Sequence, residues 1–156
     1  MRVISGAARG TRLVGLGDVK IRPTLDRVKE SFFNLIGQRL EGKIFLDLFA
    51  GTGSMGVEAL SRGAEKVLFV EKNPAAQALI MRNLEKCRMA EQITRWQLIK
   101  QCALQALLVL KEQSFQFDFI YVDPPFADDI YQLTLSKLEG VLKNDGWVIV
   151  EHFHKT

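Results

Sequence analysis

Two segments of this chain carry residue types that can do chemistry. Residues 47–56 read Asp-Leu-Phe-Ala-Gly-Thr-Gly-Ser-Met-Gly, and residues 123–126 read Asp-Pro-Pro-Phe. Each follows an apolar run of strand type. In the first, Gly51, Gly53 and Gly56 allow the backbone to approach a ligand closely. Glu71 lies twenty positions after Gly51, where a carboxylate ending the next strand can accept hydrogen bonds from a ribose diol. The same spacing satisfies the dinucleotide fingerprint G-x-G-x-x-G. Asp47 separates the two readings. A pyrophosphate seeks bare N–H groups at a helix start, and a carboxylate four residues before Gly51 repels it. That carboxylate suits a cation, such as the amino group of the methionine part of S-adenosylmethionine. The residues therefore favour adenosylmethionine over a nicotinamide cofactor and over a ligand-free tight turn.

The second segment suits an amino group on a planar ring. The exocyclic amine of guanine or adenine is a poor nucleophile, because its lone pair is delocalised into the ring. Acceptors on its two N–H groups draw the lone pair out of conjugation and stabilise the positive charge that develops. Asp123 supplies a carboxylate acceptor. Pro124 and Pro125 lack N–H groups, stiffen the turn and leave its carbonyls as acceptors. Phe126 offers a flat face to an unstacked base. A proline turn that only ends a strand is the plain alternative. Glycine turn and clamp together point to methyl transfer from adenosylmethionine to a nitrogen.

The elements that must position these residues alternate along the chain. Val28–Leu40 reads as a helix with Phe32, Phe33, Leu35 and Ile36 apolar. Ile44–Phe49 reads as a buried strand. Ser54 suits the cap of a helix to about Arg62, with Glu58 in its first turns. Val67–Val70 is a second strand, and Pro74 opens a helix to about Met89. Ile93–Ile99, Phe117–Val122 and Trp147–Glu151 follow as strands, with helices at Ala103–Lys111 and Asp128–Leu142 between them. The fold class is α/β, a mostly parallel doubly wound sheet, with ligands outside the carboxyl ends of its strands.

Length and composition fit one domain over residues 1–156. The chain is 47% hydrophobic and 25% charged, ordinary for a globular protein. It has no apolar run of membrane length and no secretory leader, and Cys87 and Cys102 lack metal-ligand spacing; the expectation is a cytoplasmic protein with reduced thiols. The net charge of +3 is unevenly spread. Residues 1–22 hold Arg2, Arg9, Arg12, Lys20 and Arg22 against Asp18 alone, whereas residues 43–156 hold 13 basic and 14 acidic residues. A basic arm over residues 1–24 on a near-neutral core over 43–156 reads as a polyanion-binding element. Its glycines, Gly6, Gly10, Gly15 and Gly17, imply a small β-hairpin or meander. A solvated, incidentally basic hairpin is the alternative.

The chain resembles the bacterial methyltransferases that modify an exocyclic guanine nitrogen, N2, in 16S ribosomal RNA. The resemblance runs through Arg2-Val3-Ile4-Ser5-Gly6, Arg22-Pro23-Thr24, Arg27-Val28-Lys29-Glu30 and Phe33-Asn34. It continues through Leu46–Gly53, Glu58-Ala59-Leu60-Ser61-Arg62-Gly63-Ala64 and Asp123–Phe126. It implies the Rossmann-like class I methyltransferase sheet and S-adenosylmethionine as cofactor. The cofactor would be held by Asp47, Phe49, Gly51, Gly53, Ser54, Glu71, Lys72 and Cys102. Catalysis would fall to Asp123, Pro124, Pro125 and Phe126. RNA contacts would come from Arg2, Arg9, Arg12, Lys20, Arg22 and Thr24. The implied partner is small-subunit ribosomal RNA or a 30S assembly particle, met by a monomer with no metal and no membrane.

Two departures from the family pattern stand out. Cys102 occupies the place of an Asp, Glu or Asn that would meet the adenine amino group, and a thiol is a weak partner there; backbone N–H groups, apolar contacts or Gln101 could serve instead. The family's final C-terminal hairpin is also absent after the fifth strand, which would leave that strand as an edge. The clamp does not choose between bases, so an adenine-N6 methyltransferase on RNA or DNA is the runner-up. Protein glutamine methylation, where Asn usually opens the clamp, and a non-catalytic RNA-binding assembly factor complete the alternatives. His152 and His154 lack a third ligand. Trp96 and Trp147 read as core or sheet-face residues, Cys87 as a packing residue, and Lys72 and Asn73 as either ribose contacts or the lead into the helix at Pro74.

Overall fold

A computed structural model describes residues 1–15, 23–123 and 129–151, with residues 23–25 and 129–131 described as backbone alone. Lys20, Arg22, Pro124, Pro125, Phe126, His152 and His154 lie outside the described residues, as does the side chain of Thr24.

The chain alternates helix and strand: α1 (Pro23–Ile36), β1 (Ile44–Asp47), α2 (Ser54–Ser61), β2 (Lys66–Val70), α3 (Pro74–Lys86), β3 (Trp96–Ile99), α4 (Ala103–Glu112), β4 (Phe117–Val122), α5 (Asp129–Lys137), a 3₁₀ turn (Leu138–Val141) and β5 (Leu142–Val150). The five strands are parallel, in the order β3-β2-β1-β4-β5. The winding direction reverses between β1 and β4. In open α/β sheets such a switch point is where ligands settle, beyond the carboxyl ends of the strands.

The period of two along each strand divides the core into two layers. Phe45, Val67, Phe69, Phe119 and Tyr121 face one layer, with Phe32 and Phe33 of α1, Leu60 of α2, Ile80 and Leu84 of α3, and Val3 and Leu13 of the N-terminal arm. Leu46, Leu68, Ile120 and Val122 face the other, with Ala106, Leu107 and Leu110 of α4 and Val141. Helices therefore cover both faces. None of the described helices is long and apolar enough to cross a membrane.

Several boundaries differ from the sequence reading. Helix α1 starts at Pro23, five residues before Val28, because the fixed φ of proline suits a first helical turn. The arm accordingly gives way to helix before residue 24. Helix α1 ends at Ile36, and Leu40 is buried beyond it. Strand β3 begins at Trp96; Ile93 is exposed. Strand β5 begins at Leu142, because an irregularity opposite Phe117–Phe119 absorbs the turn-like Asn144-Asp145-Gly146. Trp147 sits opposite Phe119 on the sheet but is 53% exposed, so it is no core residue. Trp96 is half-buried and donates its indole N–H to the Met89 carbonyl.

Residues 1–13 form the expected hairpin. Arg2 and Arg12 bridge antiparallel, and Val3 and Leu13 donate to the carbonyls of Thr11 and Met1. The hairpin docks against the C-terminal end of α2 through backbone groups. Ala7 N–H donates to the Ser61 carbonyl, Ala8 N–H to Ser61 Oγ, and Ser61 Oγ to the Ser5 carbonyl. Gly6, at φ +91°, allows this approach; a Cβ there would stand 1.8 Å from the Ser61 carbonyl oxygen.

Candidate active site

The three glycines of the turn after β1 do three different jobs. Gly51 is left-handed, φ +58°, and a Cβ built on it meets nothing within 4 Å, so it faces open space. Gly53 is the left-handed N-cap of α2. Gly56 lies in the helix, where a Cβ would come within 2.3 Å of the Phe69 ring, so it sets the closeness of α2 to β2. The cap therefore falls one residue earlier than the sequence suggested. Ser54 is the first helical residue and makes no capping bond; its hydroxyl accepts from Lys29 Nζ at 2.9 Å.

Both sequence-selected carboxylates meet this turn. Asp47 ends β1, is buried, and accepts the Gly56 N–H at 3.0 Å. Glu71 follows β2 and accepts the Gly51 N–H at 2.8 Å and the Asn73 N–H at 2.9 Å. Each oxygen keeps a lone pair free. Asn73 itself caps α3 by accepting from Ala75 and Ala76, the part of a lead into the helix. Lys72 is exposed. Phe49 is half-buried against the α4 layer. Cys102 is the half-buried N-cap of α4 and makes no capping bond through its thiol. Cys87 is a buried packing residue at the end of α3.

Asp123, half-buried, directly follows β4. Glu151 directly follows β5. Taken in sheet order, Glu71, Asp47, Asp123 and Glu151 stand at the carboxyl ends of β2, β1, β4 and β5. Four adjacent parallel strands thus end in a row of carboxylates spanning the switch point. No described Lys or Arg makes an ion pair with any of them. Nor are three described His, Cys, Asp or Glu grouped to hold a metal ion.

Two members of the row, Asp47 and Asp123, hold a proton more tightly than an ordinary aspartate. Burial, reinforced by the charges of Asp123 and Glu71 and opposed by the Gly56 N–H, pushes Asp47 up to about 8. Burial and the charge of Glu151 push Asp123 up to about 6. A row of this kind disfavours anions and rewards a bound cation, because a positive charge lets the carboxylates ionise. The fit is to a sulfonium and an ammonium, and it argues against a pyrophosphate.

This has a measurable consequence. The native pKa of Asp47 lies above its ordinary value of 3.8, so the native state binds a proton that the unfolded state has lost. Stability should fall as pH rises from about 4 to about 8, and Asp47→Asn should flatten that slope. A cationic ligand beside Asp47 should expel the proton. Calorimetry at neutral pH, in buffers of different ionisation enthalpy, should show about one proton released per adenosylmethionine bound and none in Asp47→Asn. Equal proton release in both proteins would remove Asp47 from the ligand's surroundings.

Sequence reasoning missed the buried polar groups that tie the arm to this turn. Glu58 is fully buried and accepts the N–H groups of Ile4 at 2.8 Å and Ser5 at 3.1 Å. It also pairs with Arg62 at 2.8 Å and Lys29 at 3.4 Å. Lys29, 2% exposed, donates to the Arg2 carbonyl as well as to Ser54. Asn83 of α3 accepts from Val14 N–H and donates to the carbonyls of Val14 and Thr52. Arm and glycine turn thus share partners. Arg2, Arg9 and Arg12 point into solvent on the arm.

A hollow of about 580 Å³, lined by Ile44, Gly63–Lys66, Thr94 and Arg95, lies at the amino ends of β1 and β2. It is at the opposite end of the sheet from the carboxylate row and shares no residue with it.

Comparison with known proteins bears on this arrangement. Residues 1–156 match the family described as Conserved hypothetical protein 95. The chain is 35% identical over 153 residues to ribosomal RNA small subunit methyltransferase D of Haemophilus influenzae, spanning 97% of this chain and 78% of that one. It is 30% identical over 151 residues to the protein of the same name from Escherichia coli K12, spanning 97% and 71%. A solved structure of a hypothetical protein from Thermus thermophilus matches 96% of this chain and 84% of its own, with a TM-score of 0.80 and 26% identity.

Proposed function

The chain belongs to the Conserved hypothetical protein 95 family, and on that premise we propose that it transfers a methyl group from S-adenosylmethionine to the exocyclic N2 of a guanine in small-subunit ribosomal RNA. The observation that carries this reading is the row of carboxylates at the switch point beside an open glycine turn. It is supported by relatives that are named small-subunit ribosomal RNA methyltransferases.

Adenosylmethionine, when bound, supplies an electrophilic methyl group on a positively charged sulfur. The residues of the chain do the rest. Gly51 leaves room for the ligand, and Glu71 accepts from the ribose hydroxyls with its free lone pairs. Asp47 balances the amino end. Glu71→Ala should weaken adenosylmethionine binding about tenfold or more, since a hydrogen bond to a charged group contributes about 1.5–3 kcal/mol. Asp123 and the Pro124 carbonyl take the two hydrogens of the amine, and Phe126 stacks on the base. The base must arrive unpaired or flipped, because such a clamp cannot reach into a helix.

The arm presents Arg2, Arg9 and Arg12 to the RNA backbone, with Lys20, Arg22 and Thr24 next along the chain. About four phosphate contacts on unpaired RNA give a log–log salt dependence with a slope near about −3. Neutralising Arg9 and Arg12 together should flatten it by about 1.4 and leave adenosylmethionine affinity alone. An unchanged slope would assign the arm to structure only.

The direct test of the activity is transfer of labelled methyl from adenosylmethionine to unmodified small-subunit RNA, both naked and in assembly particles. Label in the RNA is the expected result. RNA binding without label in either form would favour a non-catalytic assembly factor.

A further inference from the structure

The structure points to a residue beyond the clamp. Strands β4 and β5 pair in parallel with Val122 opposite Val150, and Glu151 N–H donates to the Val122 carbonyl at 3.0 Å. The next residue on each strand is a carboxylate, so Asp123 and Glu151 stand side by side, one strand spacing of about 4.8 Å apart. Glu151 is also held from below. The Tyr121 hydroxyl donates to Glu151 Oε2. Tyr121 is 6% exposed, and its ring meets the edge of Phe32 from α1 at 5.2 Å. A buried tyrosine braced by an aromatic neighbour therefore fixes the carboxylate that faces Asp123.

We propose that Glu151 is a positioning residue for methyl transfer: held by Tyr121, it sets its negative charge against Asp123 from the neighbouring strand and so makes Asp123 the acceptor of the proton that the amine must lose. The proposal rests on the function given above. In the step, the amine lone pair forms the N–C bond while the C–S bond breaks and its electron pair stays on sulfur. The nitrogen then carries an extra proton and a positive charge. One N–H proton passes to Asp123 and from there to water. A lone carboxylate is a weak acceptor for it, and a second negative charge beside the first makes it stronger.

Among the described residues, the groups facing this pair are few. Asp123 feels Glu151 directly, and burial with that charge brings it to about 6. Tyr121 is pushed upward by burial, by its bond to Glu151 and by the charges of Asp123, Glu151 and Asp47, so it stays neutral and remains a donor. Asp47 lies next along the row and Glu71 beyond it, and Phe32 closes the α1 side without a charge. No described Lys or Arg pairs with Asp123 or Glu151.

Glu151→Gln removes the charge and keeps an acceptor for Tyr121. Two readouts test it. Carbon-13 NMR of the side-chain carboxyls should show the Asp123 titration moving to lower pH in the variant. The acidic limb of single-turnover methyl transfer should move with it, and the plateau rate should fall roughly three- to tenfold, as for a weakened proton acceptor. Glu151→Asp, which keeps the charge, should hold the limb near its original position. Adenosylmethionine affinity should fall far less in either variant than in Glu71→Ala. An Asp123 titration that stays in place, or a titration that moves while the limb does not, would overturn the proposal. Wild-type protein that transfers no methyl to ribosomal RNA would instead overturn the parent function, and the two failures are told apart by that control.

Discussion

Asp123→Ala should cut turnover by about 10²–10³-fold while leaving adenosylmethionine affinity nearly unchanged. The magnitude is that of losing one preorganised partner of a charge that develops in the transition state. Asp123 sits at the end of β4, a strand buried along its whole length, so its backbone is fixed before substrate arrives. Its carboxylate is partly withdrawn from water and lies between Asp47 and Glu151 in the row. The amine is neutral before transfer and cationic as the N–C bond forms. A carboxylate in that position interacts more strongly with the second state than the first, which is the condition for acceleration. Single-turnover rates with saturating RNA and cofactor isolate the step. A fall below tenfold would move the charge-stabilising role elsewhere in the row.

Glu58→Ala should destabilise the protein by about 3–5 kcal/mol, the cost of breaking a buried ion pair by removing one partner. Glu58 is fully buried, with Lys29 and Arg62 on either side and the N–H groups of Ile4 and Ser5 in front. Truncation strands two buried cations and two backbone donors at once. Lys29 is held below its ordinary pKa by burial, against the pull of Glu58; without Glu58 it is left with its desolvation. The arm loses its anchor in the same change, so RNA binding should fall with stability. Urea unfolding followed by circular dichroism measures the first effect. A change below about 1 kcal/mol would mean that water and rearranged side chains replace Glu58 with ease.

These two residues show what a sequence exposes and what it hides. Asp47, Glu71 and Asp123 are visible because each ends an apolar run, and in a parallel α/β sheet such places share one edge. The glycine turn is visible because Gly51, Gly53 and Gly56 lie close together. Their separate tasks are not, since the contact of Gly56 with Phe69 and the left-handed cap at Gly53 are properties of the packed structure. Glu58 looks like an ordinary helix residue. Its partners lie 53 and 54 residues away on the arm, and nothing local announces them. Lys29 and Asn83 are hidden for the same reason. Glu151 ends the last expected strand, but its neighbour depends on the order of strands, which follows from the reversal between β1 and β4. The early start of β5 is obscured by Asn144-Asp145-Gly146, a sequence that reads as a turn until the sheet absorbs it.

The central claim is that the accepting atom is the 2-amino nitrogen of guanine. The most direct measurement uses adenosylmethionine carrying a labelled methyl and small-subunit RNA made with either guanosine or inosine at the modified position. Inosine lacks the 2-amino group and is otherwise the same base. Label should appear as N2-methylguanine in the first RNA and be absent from that position in the second. Label at the same position in the inosine RNA, or a product identified as N6-methyladenine, would contradict the claim.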